Sequence, residues 1–334
     1  MKTPKKILNE PRQATAEMME GLILANDGRV GRVEGTGALF RTAIPDGKVA
    51  LLIGGGSGHE PIFGGFVGHN LADGAACGEV FAAPGPDTIC EAARAVHRGK
   101  GIIFLYCNYA GDNMNFDIAA ELLGDEGIET RTIRVRDDVA AAPPERMDDR
   151  RGIAGAVLVV KVAGGAATEL KDIAEIERII RKAEANVRSM GVAVSAGSLP
   201  ETGKPTFELG DDEIEVGMGA HGEAGVKRQK MVSADEITNQ MMEPILGDMA
   251  LAKGDEVVLL INNLGASTMM ELLIVNRRVR QILARDGISV HRTFIGPWFT
   301  SQEMAGFSIS LMKLDAELKR YIDLPSSSFG FSSL

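Results

Sequence analysis

The chain has 334 residues and a formal net charge of −10, and 45% of it is apolar. That length exceeds one comfortable hydrophobic core, so two domains or one large α/β body is expected. The acidic balance argues against nucleic acid or an anionic membrane as partner, and 5% aromatic content leaves few rings for stacking bases.

Three cysteines (Cys77, Cys90, Cys107) without ligand spacing indicate a reducing, cytoplasmic setting. There is no H-x-x-x-H or C-x-x-C pattern, so no metal site is expected. The basic start Met1–Lys6 runs into Asn9-Glu10-Pro11 instead of an apolar segment, unlike a signal peptide. No run approaches the length of a membrane span.

Strand-like runs alternate with helical patterns, which predicts an α/β fold: two α/β domains, mostly parallel or mixed sheets, ligands at strand ends. Val49–Ile53 is the first predicted strand and Gly101–Tyr106 the second. A helix follows over Asp117–Leu123, then strands over Glu129–Val135 and Gly155–Val160. Glu169–Ser189 reads as a helix because Ile173, Ile176, Ile179, Ile180 and Ala183 share one face. Gly, Ser, Pro and Thr cluster over 195–207, which sets the expected domain division at 1–194 and 195–334. Beyond it the pattern predicts a strand at Glu213–Val216, a helix at Ser233–Leu246, and a strand at Glu256–Ile261. A helix at Thr268–Arg285, a strand at Ser289–Ile295 and a helix at Asp315–Tyr321 complete the series. The serine- and phenylalanine-rich tail Pro325–Leu334 reads as docked or frayed.

The most informative segment is Gly54-Gly55-Gly56-Ser57-Gly58-His59-Glu60-Pro61, straight after the first strand. Glycines there let bare backbone N–H groups approach a polar ligand, and His59 adds a group that moves protons. The spacing fits neither a dinucleotide fingerprint nor a P-loop, and no other nucleotide motif follows. After the second strand comes Asn108–Phe116, where Asp112 is either a ligand-facing carboxylate or a helix N-cap. His221 sits among glycines in Gly217–Gly225, poorly placed for core packing and open to a ligand. In Asn262–Thr268 and Gly296–Gly306, helix capping by Ser267 or Thr300 is the favoured reading. Cys77 reads as a packed hydrophobe. If His59, Asp112 and His221 converge, they can hold a small polyhydroxylated molecule. A neutral imidazole nitrogen can add to a carbonyl, and a carboxylate can take a hydroxyl proton.

The ordered segments Gly54–Pro61, Cys77–Phe81, Asn108–Phe116, His221-Gly222-Glu223, Asn262–Gly265 and Thr300–Gly306 together resemble the dihydroxyacetone-binding subunit of dihydroxyacetone kinases, the DhaK family. Lys5–Asn9 and Ser189–Ala193 fit as well, so the likeness runs from about residue 5 to 325. The resemblance implies a homodimer and a phosphotransferase whose ketose is held as a hemiaminal on His221. It implies that Gly56, Ser57, Gly58 and His59 contact the substrate, with His59 assisting proton transfer and Asp112 as base. No cofactor is expected on this chain. ATP, or ADP with Mg, is expected on a separate DhaL-type subunit, which a DhaM-type protein rephosphorylates in the phosphotransferase-linked form. Some relatives act instead as ketose-sensing co-activators. One departure stands out: Cys107 occupies the position where the family usually has a substrate-contacting lysine. Loss of that cation puts the substrate in question and makes a longer ketose such as erythrulose an alternative.

Overall fold

The computed structural model describes residues 5–334, so Met1–Pro4 of the basic start lie outside it. After helix α1 (Ala14–Leu24), the first half builds a six-stranded sheet from β1 (Val30–Arg32), β2 (Ala38–Arg41), β3 (Ala50–Ser57), β5 (Gly74–Val80), β6 (Ile102–Cys107) and β7 (Thr130–Val135). Its order is β1-β2-β5-β3-β6-β7, and the four strands from β5 to β7 run parallel. The short β4 (Gly68–His69) stands outside it. Helices α2 (Pro86–Val96) and α3 (Ala110–Asp125) cover one face, where Tyr106 stacks on Phe116 with ring centroids 4.2 Å apart.

The other face carries α4 (Ala156–Glu169) and α5 (Ile173–Ala185). Here the expectation of a strand at Gly155–Val160 is corrected: the segment opens α4. Every residue from Ala156 to Ala167 is buried, Lys161 included, so no exposed polar face marks the helical period. Gly164 lets it approach the neighbouring backbone, because a Cβ there would meet Asn70 and Leu71 main-chain atoms at 2.4 Å. The predicted helix Glu169–Ser189 is also shorter than read. It starts on an Asp172 cap that accepts from Glu175 N–H, and Val187 already begins a strand.

That strand, β8 (Val187–Ser195), belongs to a second mixed sheet with β9 (Glu213–Val216), β10 (Lys227–Lys230), β11 (Glu256–Asn263), β12 (Ser289–Gly296) and β13 (Ala305–Leu314). The order is β10-β9-β8-β13-β11-β12. The division expected at 194/195 thus falls at the end of a strand of this sheet. Helices α6 (Ala234–Asp248) and α7 (Met269–Arg285) open on capping boxes, Ser233 with Glu236 and Thr268 with Glu271. Helix α8 (Ala316–Asp323) is capped by Asp315. The tail is docked: β14 (Ser326–Ser328) pairs with both β15 (Ser332–Ser333) and β4. Among the described residues no helix is long and apolar enough to cross a membrane.

Candidate active site

Strands β5, β3 and β6 are parallel neighbours, so their carboxyl ends open on one side, where open α/β sheets bind ligands. Phe81, the segment Ser57–Glu60 and the start of α3 all lie there. The glycine run differs from its sequence reading, because Gly54–Gly56 continue β3 and pair with Ala76–Gly78 of β5. Their small size makes room for neighbours: a Cβ on Gly55 would lie 2.2 Å from the Phe63 ring, and one on Gly56 2.8 Å from Ala82 N. Ser57 is buried and its hydroxyl donates to Gly78 O at 2.7 Å. Gly58 takes φ +97°, and its N–H donates to both carboxylate oxygens of Glu60 at 3.0 Å. That amide is not bare. Burial raises the Glu60 pKa, with the Gly58 hydrogen bond working against it.

The structure brings His59 and His221 into direct contact, with Nε2 atoms 2.9 Å apart. His59 is 2% exposed and ringed by Phe81 and Phe299, at centroid distances of 4.9 and 5.0 Å. Its Nδ1 donates to the Thr300 carbonyl at 2.6 Å. Burial first, then the neighbouring His221, lower the His59 pKa to about 3, so the ring is neutral at pH 7. A carbonyl only accepts, so the single ring proton sits on Nδ1 and Nε2 is a lone pair facing His221. The proton between the two rings therefore belongs to His221 Nε2.

Glu223 receives the other side of the His221 ring, with Nδ1 at 3.0 Å from Oε1, and its Oε2 accepts from the His221 backbone N–H at 2.9 Å. Burial opposes the Glu223 charge, yet the His221 hydrogen bond and charge hold its pKa down at about 2. The Tyr109 and His221 rings stand at 76° to each other with centroids 4.8 Å apart.

Asp112 lies in the first turn of α3. Tyr109, not Asp112, is the N-cap residue, and Asp112 Oδ1 is buried without a hydrogen-bond partner. Burial raises its pKa to about 7, against the pull of the His221 charge. Cys107 ends β6 inside the apolar core, 4% exposed. Burial, then Asp137 and Asp112, push its thiol pKa well up, so it supplies no charge. Cys77 is a partly buried neutral thiol packed on the same core, with its pKa at about 12 through burial.

Two capping expectations are corrected. Thr268 caps α7, while Ser267 Oγ donates to Gly306 O at 2.9 Å. Thr300 Oγ1 donates to Glu60 O at 2.9 Å. Glu223, given no role, and Thr300, read only as a cap, are the site residues that sequence reasoning missed. The first could be suspected two positions from His221, whereas a backbone carbonyl carries no side-chain signal. Among the described residues no cluster of three or more His, Cys, Asp or Glu could hold a metal ion.

Residues 20–330 match the Dak1 domain model. The chain belongs to the Dak1 family. It is 41% identical over 323 residues to the dihydroxyacetone-binding subunit DhaK of PTS-dependent dihydroxyacetone kinase 2 from Listeria innocua, covering 96% of this chain and 97% of that one. A D-erythrulose kinase of Mycolicibacterium smegmatis is 39% identical, and the match covers 96% of this chain but 55% of that protein. Among solved structures, the dihydroxyacetone kinase of C. freundii superposes with TM-score 0.90 at 28% identity, over 98% of this chain and 60% of that chain. The dihydroxyacetone kinase operon co-activator DhaQ gives TM-score 0.88 at 30% identity, over 96% of this chain and 98% of that one. The sequence resemblance and the mixed α/β architecture are thereby established for this Dak1 chain.

Proposed function

We propose that this chain is the ketose-binding, catalytic subunit of a short-ketose kinase. The observation that carries the reading is the His59–His221 pair, one ring locked neutral and the other held between it and Glu223. His59 Nε2 takes the proton from His221 Nε2, and the freed lone pair adds to the carbonyl carbon of the ketose. The carbonyl π electrons move to oxygen, which receives that proton back from His59. The product is a neutral carbinol on His221, and Glu223 balances the ring charge. A polyol has no carbonyl to trap, so glycerol is rejected.

Asp112, with a pKa of about 7, is then the base for the terminal hydroxyl. That oxygen attacks a phosphoryl group presented by a separate subunit carrying the nucleotide and Mg. The near-full-length relatives whose names carry "PTS-dependent" support a phosphotransferase-linked donor. A homodimer and contacts from Gly56, Ser57, Gly58 and Cys107 to the ketose belong to the same proposal.

The likeness to DhaQ favours a second reading, a ketose sensor without phosphoryl transfer. Native mass spectrometry of the chain with dihydroxyacetone, alongside His221→Ala, tests the first step. A gain of one whole ketose, lost in the variant, is expected; no gain in the wild type would refute it. Phosphoryl transfer with a cognate donor subunit then separates kinase from sensor.

A further inference from the structure

The turn Thr300–Glu303 touches both histidine segments. Thr300 O accepts the His59 ring proton, Thr300 N–H donates to His59 O at 3.2 Å, and Gln302 N–H donates to Gly58 O at 3.0 Å. On the other side, Ser301 Oγ donates to the carbonyl of Ala220, next to His221, at 2.5 Å. The turn is held in an uncommon shape: Gln302 has φ +53° without being glycine. Its carbonyl oxygen also lies 2.0 Å from where a Cβ on Gly265 would be. Such a conformation persists only where its surroundings hold it.

The hold on its outer side comes from the start of the chain. Lys6 Nζ donates to Gln302 Oε1 at 3.1 Å and to Glu303 Oε2 at 2.5 Å, and its side chain is 17% exposed. Ser198 Oγ donates to the other Glu303 oxygen. We propose that Lys6 is a positioning residue for the histidine pair, acting through the Thr300–Glu303 turn. Its ammonium neutralises Glu303 and fixes the Gln302 side chain, keeping the Thr300 carbonyl aimed at His59 Nδ1. Release of Lys6 lets the carbonyl drift, and the His59 ring loses the partner that reserves Nε2 for the proton of His221. The Lys6–Glu303 pair is partly buried, so its loss also lowers stability somewhat, and the ring resonance rather than the melting temperature is the readout that tests the role.

The geometry stands without a ligand, while its consequence for adduct formation rests on the ketose reading above. The test uses the whole chain with histidine nitrogens labelled, the His59 Nδ1–H resonance being assigned through His59→Gln. In Lys6→Ala and Lys6→Met that resonance is expected to shift or broaden, and the dihydroxyacetone concentration for half-maximal adduct to rise about fivefold, the scale of one net hydrogen bond. Lys6→Arg should retain both, and Lys6→Met separates the ammonium from its aliphatic stem. An unchanged His59 resonance in both Lys6→Ala and Lys6→Met overturns the proposal, as does an equal change in Lys6→Arg. A resonance that responds to Lys6 in a wild type forming no adduct supports the positioning role and refutes the ketose reading.

Discussion

His59 and Thr300 are 241 positions apart, and the hydrogen bond from His59 Nδ1 to the Thr300 carbonyl fixes which ring nitrogen carries the proton. A neutral ring with a committed tautomer can accept a proton on one atom only. That turns two adjacent histidines into a donor and an acceptor with distinct tasks.

His59→Ala removes the acceptor for the His221 proton and leaves the nucleophile in place. The rate of ketose adduct formation is expected to fall about 10²-fold, the lower end for general base catalysis, while His221→Ala abolishes the adduct. Stopped-flow or time-resolved native mass spectra would distinguish the two.

Asp112→Asn should separate binding from transfer. The adduct forms, phosphoryl transfer from a donor subunit drops by 10² or more, roughly, and the fold gains stability at pH 8. The sign follows from the raised pKa of about 7. A carboxyl that holds its proton more tightly when folded stabilises below its unfolded pKa, and that contribution is lost as pH rises through 7. The advantage of the asparagine variant should therefore grow between pH 4 and 8, roughly, to the order of 2 kcal/mol after allowance for partial exposure. Urea titrations of both proteins at both ends of that range measure it; an advantage over wild type no larger at pH 8 than at pH 4 contradicts the burial argument.

The same carboxyl sets a pH profile. Phosphoryl transfer by the wild type should rise with pH through about 7, as Asp112 becomes the free base. A profile flat from pH 6 to 8 would remove Asp112 from that role.

The proposed ketose contact at Cys107 is an uncharged thiol, which favours use of a four-carbon ketose. The expected result is a kcat/KM for erythrulose within about tenfold of that for dihydroxyacetone, the scale of one uncharged contact. A strong preference for dihydroxyacetone sinks the idea.

Gly55→Ala would drive a methyl into the Phe63 ring, 2.2 Å from the Cβ position. Overpacking of this kind costs about 1–3 kcal/mol. Thermal unfolding would record it, and an unchanged transition would mean that the ring moves freely.

Much of this was legible in the residues. Apolar runs ending at glycine or asparagine announced β3, β6 and β11, and the isoleucine face announced α5. His59, Asp112 and His221 stood out in the sequence against glycine-rich neighbours, although the fold packs His59 between Phe81 and Phe299. What stayed hidden has physical causes. Helix α4 is buried on every side, so its hydrophobicity has no period. The glycine run looked like a loop because glycine marks both turns and close packing, and here Phe63 and Phe116 occupy the space where side chains would stand. The Thr300 carbonyl and the Lys6 contact depend on chain crossings of 241 and 296 residues that no local pattern encodes.

The pairing of Ser327 with His69 in the small three-stranded sheet, together with the bridge between Asp138 and Ser189, stitches the two halves of the chain at separate places. A clamshell motion would have to break strand hydrogen bonds, so traffic to the histidine pair must pass through its rim of loops. Opening is then a local event, paid for in turn contacts, and a chain cut between β13 and β14 would lose one of the two stitches while keeping every residue of the site.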